Sequence, residues 1–281
     1  MTLVTTACLV DDAVRSGRAV VAFNVITLEH AEAIAAGASR ANRGVILQVS
    51  ENAVRFHGGD LRPLLAACRE VAIACPVGMS LHLDHVESEE LADVAISGAT
   101  DLGLSSIMLD ASVYPYEENV ALTERLGRRA RLADLWVEAE LGAVGGKDGA
   151  HAPGVRTDPA EAAAFVAATH VDGLAVAVGS SHAMSDRSAS LDVDLIGRLA
   201  QAVPIPLVLH GSSGVPDADL LEAVAAGIRK VNIGTALNVA GTAAFRSAFA
   251  AHPDVVDPRP ATAAARDAMA DVVAHFATLV G

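Results

Sequence analysis

The sequence has few cysteines, almost no lysine and no long apolar run, and each shortage removes a class of protein. Its three cysteines, Cys8, Cys68 and Cys75, are odd in number and irregularly spaced. That pattern suits neither a disulfide framework nor a zinc knuckle, and implies reduced packing residues in a cytoplasmic protein. No apolar stretch reaches the roughly 18 residues that read as a bilayer span. The opening MTLVTTACLVDDAVRSG carries no basic leader, so a soluble protein with no membrane partner is expected. The formal charge is −14, and no basic run or arm is present. Nucleic acid is therefore excluded as a partner, because binding it needs a positive stripe to neutralise phosphates. No linker, charge block or low-complexity segment divides the 281 residues, which suit one large domain over 1–281.

What the chain does contain is alternation. Strand-like runs occur at 19–25, 45–50, 77–85, 106–112, 135–141, 173–179, 206–212 and 230–235. Between them lie Ala-rich helical patterns such as LEHAEAIAAGASR and TDPAEAAAFVAATH, several preceded by Ser, Thr or Asp in N-cap position. The strands read as nearly continuous apolar runs, as expected when both faces are covered. Eight such units in about 250 residues fit an α/β fold of the (β/α)8 TIM-barrel type better than an open doubly wound sheet. The barrel is expected over about 19–250. From about 251 to 281 a loop and a C-terminal helix follow, covering the barrel or reaching a neighbouring subunit.

Polar residues gather at one end of these strands. Asn24, Ser50, Asp84 with His85, Asp110, Glu140, His182, His210, and Asn232 with Thr235 each stand at or just past a strand end. In a barrel the C-terminal strand ends converge on one mouth, where catalytic groups sit. Three histidines at three strand ends, His85, His182 and His210, suit catalytic zinc, with Asp84, Asp110 and Glu140 as carboxylates in reach. Asp84 adjoins a ligand candidate and can serve as a general acid or base, with His82 two residues earlier placed to hold it. Its bland alternative is a carboxylate that only orients a histidine. His30, His57, His151, His170, His252 and His275 fall in helices or loops and read as ordinary packing or surface residues. HGSSG (210–214) and KVNIGT (230–235) resemble the phosphate-binding loops that barrels build after strands 7 and 8.

Together these pieces resemble the class II, zinc-dependent ketose-bisphosphate aldolases, the fructose- and tagatose-bisphosphate group. The likeness runs from about residue 20 to 240 through AFNV, LHLDH, SIMLDAS, VEAELGAVGG, TDPAEAAAFVAATHVDGLAVAVGSSH, PLVLHGSSGVP and GIRKVNIGT, in family order and spacing. The resemblance implies zinc held by His85, His182 and His210, with Glu140 as an alternative ligand. It implies that Asp84 handles the proton of the C4 hydroxyl. Asn24 and Ser50 match groups near the dihydroxyacetone phosphate portion of the substrate, and Gly211, Ser213, Asn232 and Thr235 match its phosphate and C3-hydroxyl contacts. Zinc would polarise the C2 carbonyl as a Lewis acid, so no Schiff-base lysine is needed, and Lys147 and Lys230 are the only lysines. The second acid/base of the family lies on the loop after VEAELG, where Asp148 stands in place of the usual glutamate. Dimers or tetramers are implied in the same way.

Three departures bear on substrate. AMSDR follows the second histidine where the family has Gly and then Tyr-Lys, so Ala183 offers only a backbone N–H and the phosphate and monovalent-cation turn is altered. Gly234 replaces an aspartate typical of the fructose type; tagatose-type members also have a small residue there. Ala236 replaces an acidic residue, and Asn238 stands where many members place an arginine or glutamine for the far phosphate, leaving Arg187, Arg259 or Arg266 to compensate. The implied reaction is reversible cleavage of fructose or tagatose 1,6-bisphosphate to dihydroxyacetone phosphate and an aldehyde. Its alternatives are another ketose 1-phosphate without the second phosphate, or a non-catalytic sugar-phosphate-binding barrel. A barrel metallohydrolase would carry an H-x-H pair at the end of the first strand, where this chain has AFNV.

Overall fold

Strands and helices alternate throughout the computed structural model, which describes residues 3–141, 155–180 and 187–281. The order is α1 (Thr6–Ser16), β1 (Val20–Asn24), α2 (Leu28–Ala41), β2 (Val45–Ser50), α3 (Glu51–Phe56), α4 (Arg62–Ala74), β3 (Met79–Val86), α5 (Glu89–Leu102) and β4 (Ser106–Leu109). It continues with α6 (Tyr116–Leu132), β5 (Trp136–Leu141), α7 (Pro159–Thr169), β6 (Gly173–Val176), α8 (Val193–Ala202), β7 (Leu207–Leu209), α9 (Asp217–Ala226), β8 (Ile228–Ile233), α10 (Thr235–Ala251) and α11 (Arg259–Val280). The eight strands close in sequence order, each parallel to its neighbours, with β8 returning to β1. This is the expected (β/α)8 barrel. Strands β6 and β7 are shorter than the apolar runs suggest, so the residues past Val176 and Leu209 belong to loops at the mouth.

Side chains alternate across a strand, and here the two faces have different chemistry. Residues such as Val21, Phe23, Leu47, Leu81, Leu83, Val137, Leu209 and Val231 point outward and pack with the helices in one large core. Val20, Ala22, Ile46, Met108, Trp136, Ala175 and Val208 point inward and form a second, smaller core in the barrel. The inward face of the same strands also carries Gln48, His82, Asp84, Glu138, Glu140, Lys230 and Asn232, all buried. The strands are thus not the uniformly apolar runs expected from sequence. They are apolar towards the helices and half polar towards the barrel axis.

Helix α1 closes the end of the barrel opposite the mouth. Thr5 caps it by accepting from Cys8 N at 3.2 Å, and Val10 and Ala13 pack into the inner core. Helix α11, anticipated from the C-terminal sequence, lies along α2 and α10. It approaches α2 closely at Gly37, where a Cβ would lie 2.5 Å from Ala270 O and from Val273 Cβ. Its last turn returns to the start of β1, where Ala19 N donates to Val280 O at 2.9 Å. Among the described residues, no helix is long and apolar enough to cross a membrane.

Candidate active site

Strand β3 delivers two polar residues that strict alternation would send to opposite faces. Asp84 points into the barrel opposite Ser50, but the pairing of β3 with β4 shifts between Leu83 and Val86. His85 adopts φ +50°, a left-handed conformation that costs a non-glycine residue roughly 1–2 kcal/mol. The irregularity brings the His85 ring to the mouth beside Asp84. Just beyond it, Glu51 of α3 accepts from Glu87 N at 2.7 Å and Ser88 N at 3.0 Å, which fixes the chain where it leaves the strand.

His85 and His210 are each oriented by a carboxylate. His85 Nδ1 donates to Asp110 Oδ2 at 2.7 Å, and Ser112 Oγ donates to the other Asp110 oxygen at 2.7 Å. His210 Nε2 donates to Glu138 Oε1 at 2.9 Å, while its Nδ1 lies 3.4 Å from Glu140 Oε2. The two rings meet edge to face with centroids 4.9 Å apart. Donor atoms of His85, Glu140 and His210 lie within 4.8 Å of one another, a cluster that could hold a metal ion. Two ring nitrogens and a carboxylate oxygen are a donor set that suits a borderline divalent cation. Burial works against a charged His210, but the hydrogen bonds to Glu138 and Glu140 outweigh it and push the ring up to about 9.

Asp84 is gripped on one side only. Gln48 Nε2 donates to Asn24 Oδ1 at 2.9 Å, which turns Asn24 Nδ2 to donate to Asp84 Oδ2 at 3.2 Å. Asp84 Oδ1 is buried, has no hydrogen-bond partner among the described residues and lies 3.9 Å from His82 Nε2. Burial alone would raise the Asp84 carboxyl, but positive charge on His85, His210 and Lys230 outweighs it and holds the group below its ordinary value. Burial, with Lys230 adding to it, pushes His82 down to about 3, so this ring is neutral.

The loops after β7 and β8 meet beside this cluster. Gly211 takes φ +65° and leads into a single 3-10 turn, Ser212–Gly214. Ser213 Oγ accepts from Ala236 N at 3.1 Å, tying that turn to the first turn of α10, where Thr235 is the first helical residue. Gly234 lies against Asn24, and a Cβ there would fall 2.7 Å from Asn24 Oδ1. Only glycine lets the β8–α10 corner come this near. Ser50 is the N-cap of α3, accepting from Ala53 N at 3.2 Å.

The model of the class-II fructose-bisphosphate aldolase family matches residues 4–281. The chain belongs to that family. It is accordingly a metal-dependent aldolase, a lyase that breaks and forms a carbon–carbon bond. It is 37% identical over 278 residues to a protein of Bacillus subtilis (strain 168) described as a probable fructose-bisphosphate aldolase, covering 97% of this chain and 95% of that one. A fructose-bisphosphate aldolase of Geobacillus stearothermophilus is also 37% identical, over 96% of this chain and 93% of that one. Among solved structures, the YdjI aldolase of Escherichia coli K12 superposes with a TM-score of 0.83 at 30% identity, covering 100% of this chain and 98% of that one.

Within the aldolase barrel, the structure brings together Asn24, Asp84, His85, Glu140, His210 and Asn232 at the mouth or in the lumen below it. Asp148, His182 and Ala183 lie outside the described residues. Asp110 stands one layer back, on His85. Two residues of this network have no place in the sequence-based reading of the site. Glu138 and Lys230 are fully buried and paired at 2.8 Å across the lumen. Their signal is the two-residue period: Glu138 shares a strand face with Glu140, and Lys230 shares one with Asn232.

Proposed function

We propose that this aldolase uses zinc to cleave a ketose 1,6-bisphosphate of the fructose or tagatose type, releasing dihydroxyacetone phosphate and an aldehyde such as glyceraldehyde 3-phosphate. The observation that carries the reading is the convergence of His85, Glu140 and His210 donor atoms within 4.8 Å, with Asp84 next in sequence to the first of them. His85 and His210, with His182 as the third imidazole and Glu140 as an alternative ligand, would hold the zinc. Bound there, zinc supplies Lewis acidity that polarises the ketose carbonyl and stabilises the enediolate charge.

The residues of the chain do the rest. Asp84 is held as a carboxylate, and its bare Oδ1 takes the C4 hydroxyl proton as the C3–C4 bond breaks, while Asn24 keeps Oδ2 in place. Asp148 returns a proton to C3. The 1-phosphate sits at the N-terminus of α10, where the amides of Gly234 and Thr235 and the helix dipole favour an anion. Gly211 and the backbone of Ala183 complete that cradle, with a monovalent cation beside it. Ser213 Oγ, already accepting from Ala236 N, keeps its own O–H to donate to the phosphate. Asn232 donates to the C3 hydroxyl and Ser50 lies nearby. Resemblance to the family also supports a cytoplasmic homodimer or homotetramer, which sedimentation of the purified chain would measure.

A second reading is favoured by what surrounds Asn238. Its Oδ1 lies 3.3 Å from His30 Nε2. The arginines available to replace a phosphate clamp are already matched with carboxylates: Arg187 with Asp217, Arg259 with Asp257 and Arg266 with Glu32. A ketose 1-phosphate lacking a second phosphate fits that neutral end. The test is release of dihydroxyacetone phosphate, coupled to NADH oxidation, from fructose 1,6- and tagatose 1,6-bisphosphate and from ketose 1-phosphates, with and without EDTA. Chelator-sensitive release is expected, lost in Asp84→Ala. No release from any of these by zinc-loaded protein would sink the assignment.

A further inference from the structure

Among the described residues, Lys230 is the largest charged side chain wholly enclosed by the barrel, and the chemistry assigned so far gives it no task. It stands on the inward face of β8 with no exposed surface. Its Nζ lies 2.8 Å from Glu138 Oε2 on β5 and 2.8 Å from Asn232 Oδ1 on its own strand. Removing an ammonium from water is costly unless pairing and hydrogen bonds offset it. A lysine head group has donors only, with no acceptor. Every group that touches it must therefore present an acceptor, and this dictates how the rest of each partner is turned.

At Glu138 the consequence runs to His210. With Lys230 on Oε2, Glu138 is kept as a carboxylate that can only accept, and its Oε1 lies 2.9 Å from His210 Nε2. When the ring gives up one of its two protons to a metal, the one that stays is therefore on Nε2, and Nδ1 is the nitrogen that presents a lone pair. That nitrogen is the one facing Glu140, at 3.4 Å. At Asn232 the consequence is immediate. Lys230 fixes Oδ1 towards itself, so Nδ2 is the end turned away. Asn232 Nδ2 is buried and has no hydrogen-bond partner among the described residues, so it offers a donor. A flipped amide would offer an oxygen-rich ligand an acceptor instead.

We propose that Lys230 is a positioning residue that sets the polarity of two groups at once: through Glu138 it selects the ring nitrogen His210 presents to the metal, and directly it selects the end of Asn232 that meets the ligand. This rests on the placing of metal and ketose phosphate given above. The competing explanation is that Lys230 only balances the charge of Glu138, and the two separate when that charge is removed.

The experiment compares wild type, Lys230→Met and Lys230→Met/Glu138→Gln, each loaded with cobalt. Cobalt affinity is measured by chelator competition, its ligand field by visible absorption, and dihydroxyacetone phosphate binding by calorimetry. Lys230→Met should weaken cobalt by about 10- to 100-fold, the range for losing a group behind a metal ligand, and weaken dihydroxyacetone phosphate about tenfold. The double variant has no buried carboxylate to balance, and the carbonyl of the introduced amide can still accept from His210 Nε2. It should recover cobalt affinity and spectrum to within a few-fold of wild type, yet leave dihydroxyacetone phosphate binding weak because Asn232 is unguided. Recovery of both in the double variant would reduce Lys230 to charge balance and overturn the proposal, as would unchanged cobalt and ligand binding in Lys230→Met. If Lys230→Met does not fold, the double variant decides alone, and wild-type dihydroxyacetone phosphate affinity there is the overturning result. Wild-type cobalt protein that binds no dihydroxyacetone phosphate would instead refute the site assignment, before any variant is considered.

Discussion

His82 Nε2 faces Asp84 Oδ1 across 3.9 Å, and neither atom has a hydrogen-bond partner among the described residues. The proton pattern behind the ring explains the gap. Thr6 Oγ1 of α1 donates to Ser80 Oγ at 3.0 Å, so at its 2.6 Å contact with Ser106 Oγ it must accept. Ser106 then accepts from His82 Nδ1 at 2.8 Å, leaving Nε2 as a bare acceptor opposite a carboxylate oxygen. The two face each other favourably only once Asp84 carries a proton. We expect His82→Leu to lower kcat about tenfold, the worth of one hydrogen bond to protonated Asp84, with zinc stoichiometry unchanged. Thr6→Val, at the far end of the chain of hydroxyls, should have a smaller effect in the same direction. Steady-state kinetics of both variants, with metal analysis, checks this; a wild-type kcat in His82→Leu would show the contact to be idle.

Asp84→Asn keeps the shape of the side chain and removes its basicity. Loss of a general base costs about 10²- to 10⁴-fold in kcat, and zinc content should stay at the wild-type level because His85, Glu140 and His210 are untouched. Metal analysis beside the rate measurement separates this from a variant that merely fails to load zinc.

Gly234→Ala tests how closely the phosphate corner is fitted to the base. The new Cβ would fall 2.7 Å from Asn24 Oδ1 and 3.2 Å from its Cγ, so Asn24 must move and loosen its hold on Asp84 Oδ2. We expect a stability loss of about 1–3 kcal/mol, as for other overpacked sites, together with a lower kcat. Denaturant melts and kinetics of the one variant measure both, and a full kcat would show that Asn24 does not position the base.

The charge on His210 makes metal uptake depend on pH. In protein stripped of metal the ring titrates at about 9, above its ordinary 6.5. A raised folded value means that its contribution to stability is complete below about pH 6.5 and fades as pH rises through 9. A metal ion takes Nδ1 only after the proton leaves. Zinc affinity of the stripped protein should therefore rise by about tenfold per pH unit up to 9, with proton release on binding. Calorimetry in buffers of different ionisation enthalpy reads that release, and a pH-independent affinity would contradict it.

The barrel was legible because each strand run is followed by a helix pattern, several of them opened by a capping side chain, as at Ser88, Asp158 and Asp192. His85, Glu140 and His210 were legible as polar residues at strand ends. Helix α1 was not, since its value lies in plugging a barrel formed by residues far along the chain. Glu138 and Lys230 share strand faces with Glu140 and Asn232, but their pairing depends on closure of β8 onto β1. The geometry of His85 was the least legible: alternation sends it outward, and only the register shift and its φ of +50° turn it inward.

That backbone irregularity makes neighbours of two functions that most folds bring from separate segments. The residue assigned to move the proton and the residue assigned to grip the metal are joined by one peptide bond, in the last residues of a strand clamped behind by Glu51. Nothing elsewhere at the mouth has a lever on the spacing between Asp84 and His85, because one peptide bond sets it. The ruler against which a substrate's reacting atoms are measured is therefore built into the covalent chain.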